Sequence, residues 1–180
     1  MQATRRPTST TASTICESRG ALRILIVVAS LSGNTRELGR MIAGHCRAAG
    51  HAVYWQEADA ADPSEALAAD QADLVLLGSW TDNAGRTPSE MKAWIAATAE
   101  RGQRPAQVAV FGTGETQWGQ EYYCGAVQRL IRYFNSTYPP LRIEQMPHGE
   151  RHAAAIAEWT AAVLAHYWST ADADHQRHHA

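Results

Sequence analysis

Ile24-Leu25-Ile26-Val27-Val28-Ala29-Ser30-Leu31-Ser32-Gly33-Asn34-Thr35 is the stretch on which the reading of this chain turns. Its first half is an unbroken apolar run with paired valines, the pattern of a strand buried on both faces. Its second half changes at once to small hydroxyl residues, one glycine and an asparagine. Leu38, Met41, Ile42 and Cys46 follow at helical spacing. A strand that ends in a Ser/Gly/Asn turn and passes straight into a helix makes an anion site. The first helical N–H groups have no intrahelical partner and carry partial positive charge, and glycine admits close approach. Ser30, Ser32 and Thr35 add hydroxyl donors, more than a helix cap requires. The turn lacks the lysine of a nucleoside-triphosphate loop, and it lacks the G-x-G-x-x-G of a dinucleotide site. A smaller phosphate is the better fit.

Working outward, the same alternation of strand and helix recurs. His51–Gln56 reads as a second strand after Gly50, and Asp62-Pro63-Ser64 opens a short helix through Ala69. Leu74–Gly78 is a third strand, Ser79–Thr87 a loop, and Pro88 starts a helix with Met91, Trp94 and Ile95 on one face. Val108–Phe111 is a fourth strand and Gly112–Gly119 a glycine-rich loop, followed by a helix bearing Val127, Leu130, Ile131 and Phe134. After Pro139-Pro140 a fifth strand runs Leu141–Met146, and a last helix from about Glu150 to Trp168 buries Ile156, Trp159, Val163, Leu164 and Tyr167. Five strands alternating with helices predict an α/β three-layer sandwich, a five-stranded parallel sheet with helices on both faces. In such sheets ligands sit at the carboxyl ends of the strands. There the loops after strands one, three and four are the ones of unusual composition.

The 180 residues suit one domain, expected over residues 22–169, with polar tails at 1–21 and 170–180 expected to be disordered. A net charge of −2, with 16 scattered basic residues, argues against a nucleic-acid partner. No apolar run reaches the ~18 residues of a membrane span. Arg5 and Arg6 lack a following apolar stretch, and Cys16, Cys46 and Cys124 form no C-x-x-C pair. A cytoplasmic, reduced monomer is expected. His175, His178 and His179 lie in the polar tail without the spacing of a metal site, and no metal or catalytic group is assigned.

Two motifs carry a family resemblance. S-x-S-G-N-T, Ser30 to Thr35, resembles the [TS]-x-[TS]-G-x-T phosphate loop of flavodoxins. G-T-G-E-T-Q-W-G-Q-E-Y-Y-C-G-A, Gly112 to Ala126, resembles the flavin-ring loop of the short-chain members, and no insertion splits the fifth strand. The resemblance implies the flavodoxin-like fold and an FMN cofactor, its phosphate held by Ser30, Leu31, Ser32, Gly33, Asn34 and Thr35. The ring would lie between Ser79, Trp80, Thr81, Asp82, Asn83 and Gly85 on one side, and Thr113, Gly114, Glu115, Trp118, Tyr122, Tyr123 and Cys124 on the other. Glu115 takes the place of the acid near the pyrimidine edge, Trp118 that of the outer stacking aromatic, and Cys124 that of the cysteine near the ring. The interval from Trp118 to Tyr122 is longer than in familiar members. Where flavodoxins place an aromatic before a glycine, this chain has Asp82 before Asn83, with Trp80 two positions earlier. A backbone carbonyl between Asp82 and Gly85 is expected to turn toward ring nitrogen N5, since Asn83 and Gly85 tolerate positive φ.

The function so implied is transfer of single low-potential electrons between redox partner proteins, a flavin reductase as donor and an acceptor enzyme. Such a protein is a carrier more than an enzyme with its own substrate. Two alternatives remain: a flavodoxin-like activator of manganese ribonucleotide reductase, which the modest charge suits, and an FMN-dependent quinone or nitro reductase.

Overall fold

A computed structural model of the chain describes residues 20–60 and 67–177, the last five by their backbone alone. Five strands form one parallel sheet: β1 (Arg23–Ala29), β2 (Ala52–Glu57), β3 (Leu74–Ser79), β4 (Val108–Gly114) and β5 (Leu141–Glu144), in the order β2-β1-β3-β4-β5. The helices are α1 (Asn34–Ala48), α2 (Ser89–Glu100), α3 (Gly125–Phe134) and α4 (Gly149–Arg177), with single 3-10 turns at Asn83–Gly85 and Thr116–Trp118. This is the predicted three-layer sandwich.

The apolar run of β1 is divided by the pleat, since successive side chains of a strand point to opposite faces. Ile24, Ile26 and Val28 join Leu38, Ile42 and Cys46 of α1 and Ile156, Trp159 and Val163 of α4 in one core. Leu25, Val27 and Ala29 join Met91 and Trp94 of α2 and Val127 and Leu130 of α3 in the other. Every residue of β1 from Ile24 onward is buried. Burial of this kind contributes about 1.5–3 kcal/mol per large aliphatic side chain, so β1 is the axis of the molecule. Two indoles tie strand ends or loops to helices: Trp94 Nε1 donates to Gln56 Oε1 (3.1 Å), and Trp159 Nε1 donates to the Pro139 carbonyl (2.7 Å).

Several boundaries differ from the sequence reading. β3 runs one residue further, to Ser79, which pairs with Ala29 and Gly112. β2 is shifted by one residue, to Ala52–Glu57, because the His51 N–H is taken by the Cys46 carbonyl at the end of α1. β4 continues through Gly112, Thr113 and Gly114, which pair with Arg142, Ile143 and Glu144 of β5. Long-range pairing here overrides the low strand propensity of glycine. β5 stops at Glu144, because Gln145 adopts φ +52 and gives its N–H back to the Gly114 carbonyl (2.9 Å). α4 runs on past Trp168 to Arg177. The short helix expected from Asp62 falls mainly on residues 61–66, and most of the expected 1–21 tail on residues 1–19, both outside the described residues; Leu67 and Ala68 are not helical.

Candidate functional site

Because all five strands are parallel, their carboxyl ends share one edge of the sheet. At that edge the chain leaves β1 toward α1, leaves β3 toward α2, and leaves β4 toward α3. The sheet order reverses between β1 and β3, and the divergence of the two crossovers opens a crevice there. The three turns singled out from the sequence therefore meet. They enclose a cleft of about 510 Å³ lined by Leu31, Ser32, Asn34, Trp80, Thr81, Asp82, Asn83, Gly85, Thr113, Gly114, Glu115, Trp118 and Tyr122, together with Ala84 and Gln145. That volume lies within the range of small-molecule sites.

The floor of the cleft is the turn after β1. Gly33 is the N-cap of α1 at φ +94, a left-handed conformation that side-chain-bearing residues rarely adopt. The Gly33 N-cap has no side-chain bond of its own, and the N–H groups of Asn34 and Thr35 at the helix start are left for a ligand anion. Ser30 Oγ accepts the third, that of Arg36 (3.2 Å), and so ties the turn to the helix. Thr35 is wholly buried, and its hydroxyl lies 2.8 Å from that of Thr113. Two hydroxyls carry two protons and their mutual bond uses one, so the pair retains one donor, and of the two residues Thr113 lines the cleft. An oxyanion-bearing ligand fits this donor set. Arg36 does not add to it, because its guanidinium is held by Glu57 at 2.8 and 3.2 Å.

One wall is the turn after β3. Trp80 is half-buried, its backbone N–H bonded to Ala29 O (3.2 Å), its carbonyl accepting from Ser79 Oγ (2.8 Å). Ser79 itself is buried behind the wall. Asp82 and Arg86 exchange two backbone bonds, 2.9 and 3.0 Å, closing Asn83–Gly85 into a small loop. The Asp82 carboxylate is spent on that loop, accepting the Asn83 N–H (2.7 Å) and facing Arg86 at 3.6 Å. The left-handed residues are Ala84 (φ +56) and Gly85 (φ +74), rather than the expected Asn83 and Gly85. A left-handed alanine costs of order 1 kcal/mol, and the bond from Arg129 Nε to Gly85 O (2.9 Å) helps to hold it.

The opposite wall is the turn after β4. Trp118 is 72% exposed and its indole N–H donates to Glu115 Oε2 at 2.9 Å. The Gln117 amide donates to the same oxygen. Glu115 is thus engaged by its own turn, while Glu144 of β5 accepts from Thr116 N (3.0 Å) and anchors that turn from outside. Tyr122 faces the cleft; Tyr123 packs into the core on the α2–α3 side. Cys124 is fully buried, its sulfur 3.9 Å from Gly112 O, and forms no part of the cleft lining. Burial pushes its thiol pKa up to about 12, and that of Cys46 up to about 11. Both should be inert: in a Cys16→Ser variant at pH 8, a thiol reagent such as 5,5′-dithiobis(2-nitrobenzoate) is expected to label neither until denaturant is added.

Ala84 and Gln145 escaped the sequence reading. Neither residue type signals a ligand site; only backbone turns at φ +56 and +52 bring them to the cleft. A second cavity of about 540 Å³, between the end of β2 and α2, is flanked by Ala60 and Leu67 on either side of the undescribed residues 61–66. It gathers none of the predicted ligand residues. Among the described residues no group of three or more His, Cys, Asp or Glu is placed to hold a metal, and no helix is long and apolar enough to cross a membrane.

The fold and cleft define a doubly wound α/β protein with an anion-binding turn and an aromatic-walled crevice at its switch point. The flavodoxin family model matches residues 26–137 of the chain. Over 139 residues the chain is 30% identical to the probable flavodoxin 2 of Bacillus subtilis strain 168, covering 74% of this chain and 89% of that protein. Among solved structures, oxidised flavodoxin 2 from Bacillus cereus superposes with a TM-score of 0.64 at 29% identity, covering 79% of this chain and 97% of that one. Oxidised flavodoxin 1 from Bacillus cereus gives 0.69 at 23% identity, covering 80% and 98%, a likeness of fold. This chain belongs to the flavodoxin family.

Proposed function

We propose that the protein is an FMN-binding electron carrier that passes single low-potential electrons from a flavin reductase to an acceptor enzyme. The observation that carries this reading is the meeting of a helix N-terminus, its Asn34 and Thr35 N–H groups left for an anion, with two tryptophan-bearing turns in one cleft. FMN fits the donor set. The Ser30–Thr35 turn offers N–H groups and hydroxyls to its phosphate, and Trp80, Trp118 and Tyr122 offer flat apolar surface to its ring. Bound there, FMN supplies the redox chemistry. The chain supplies position and field. Trp80 and Trp118 exclude water from the ring faces. Glu115, on the Trp118 side, adds negative potential that disfavours further negative charge in the cleft, which lowers the potential of the last electron. The closed Asp82–Arg86 loop presents carbonyls at the cleft, and Ala84 and Gly85 supply its left-handed geometry.

The purified protein is expected to be yellow, or to become so with FMN, and to take up electrons on stepwise photoreduction in two spectroscopically resolved stages. A protein that does not bind FMN overturns the reading. Rapid bleaching of bound flavin by NADPH alone in a stopped-flow experiment overturns the carrier role in favour of a reductase.

A further inference from the structure

Trp80 stands where the flavodoxin pattern does not place its second aromatic, and the slot that pattern uses holds Asp82, whose carboxylate is committed to its own loop. A tryptophan in a turn has two free side-chain torsions, so some contact must fix its plane if it is to serve as a wall. That contact is Glu90. The Trp80 indole N–H donates to Glu90 Oε1 at 2.6 Å, a close bond to a carboxylate oxygen. Glu90 lies in the first turn of α2, where the helix dipole favours a carboxylate, and its other oxygen accepts from Ser89 Oγ at 3.3 Å. With the Trp80 backbone pinned to β1 through Ala29 O, the ring is held at both ends. Glu90 itself is not among the residues that line the cleft.

We propose that Glu90 is a positioning residue: it orients the Trp80 indole as the β3-side wall of the flavin site and makes that wall electron-rich through the indole N–H. This rests on the FMN reading above. A structural carboxylate would only secure the start of α2. A positioning carboxylate changes the emission of one indole and the redox behaviour of bound flavin.

The test compares wild type with Glu90→Gln, Glu90→Ala and Trp80→Phe, in the full chain, with and without FMN. In flavin-free protein the Trp80 signal is the difference in fluorescence between each Glu90 form and the same form carrying Trp80→Phe. Glu90→Ala is expected to shift that difference emission to the red and to raise the FMN dissociation constant about tenfold, the effect of losing one hydrogen bond to a charged group. Glu90→Gln keeps an acceptor for the indole. It is expected to restore emission and affinity to within about twofold of wild type, while making the last electron easier to add than in wild type. Unchanged difference emission in Glu90→Ala overturns the proposal. So does a Glu90→Gln protein whose reduction midpoints match wild type. If wild type fails to bind FMN, the functional reading falls, and the emission arm still decides whether Glu90 orients the indole.

Discussion

Gly125→Ala is expected to weaken FMN binding at least about tenfold and to cost about 1–3 kcal/mol of stability, the range for a side chain forced into a packed site. Gly125 opens α3, and a Cβ there would sit 2.6 Å from the Gly85 carbonyl oxygen and 2.7 Å from Gly85 Cα. Both neighbours are backbone, so no rotamer change relieves the clash. The Asp82–Arg86 loop would have to lift away from α3. That displacement breaks the Arg129 Nε bond to Gly85 O and moves the Trp80-side wall outward. The loop is closed by its own two backbone bonds and would move as a unit. Equilibrium denaturation and an FMN titration measure the two effects. Wild-type affinity in the variant would show that this wall does not contact the cofactor.

Thr35→Val should lose FMN about 10- to 100-fold and also destabilise the flavin-free protein by about 1–3 kcal/mol. The stability cost arises because Thr113, 4% exposed, loses its hydroxyl partner. Thr113→Val orphans Thr35 in the same way. The double variant removes both partners and is expected to approach wild-type stability, yet it stays as weak toward FMN as the worse single variant. A stable double variant with poor affinity separates the ligand role of the pair from its packing role. If FMN affinity instead follows stability through all three variants, the hydroxyls do not serve the phosphate.

The strands and the helix faces could be read from the sequence because their signals are local. Apolar runs such as Leu74–Leu77 fix strands, and the spacing of Leu38, Ile42 and Cys46 fixes the buried stripe of α1. The end of β4 could not be read so. Gly112-Thr113-Gly114 has the composition of a loop and becomes strand because β5 lies alongside all three and β3 pairs with Gly112. Partner choice among side chains was hidden for the same reason. Glu90 bonds Trp80 ten residues away, and Thr35 bonds Thr113 across 78 residues. Cys124 follows directly on two tyrosines in a loop of ligand-like composition, yet a left-handed turn at its own α-carbon sends the thiol into the core.

By itself the amino-acid sequence determined a wrapped parallel sheet and three loops of ligand-binding composition, the first a serine-glycine turn with the pattern of an anion site, because strand, helix and turn signals act within a few residues. The tertiary structure alone decided that those loops share one cleft, that the Trp80 indole bonds Glu90, and that Cys124 does not line the cleft. Those outcomes depend on contacts between residues far apart in the chain, and no local pattern encodes which of several well-matched partners a side chain will meet.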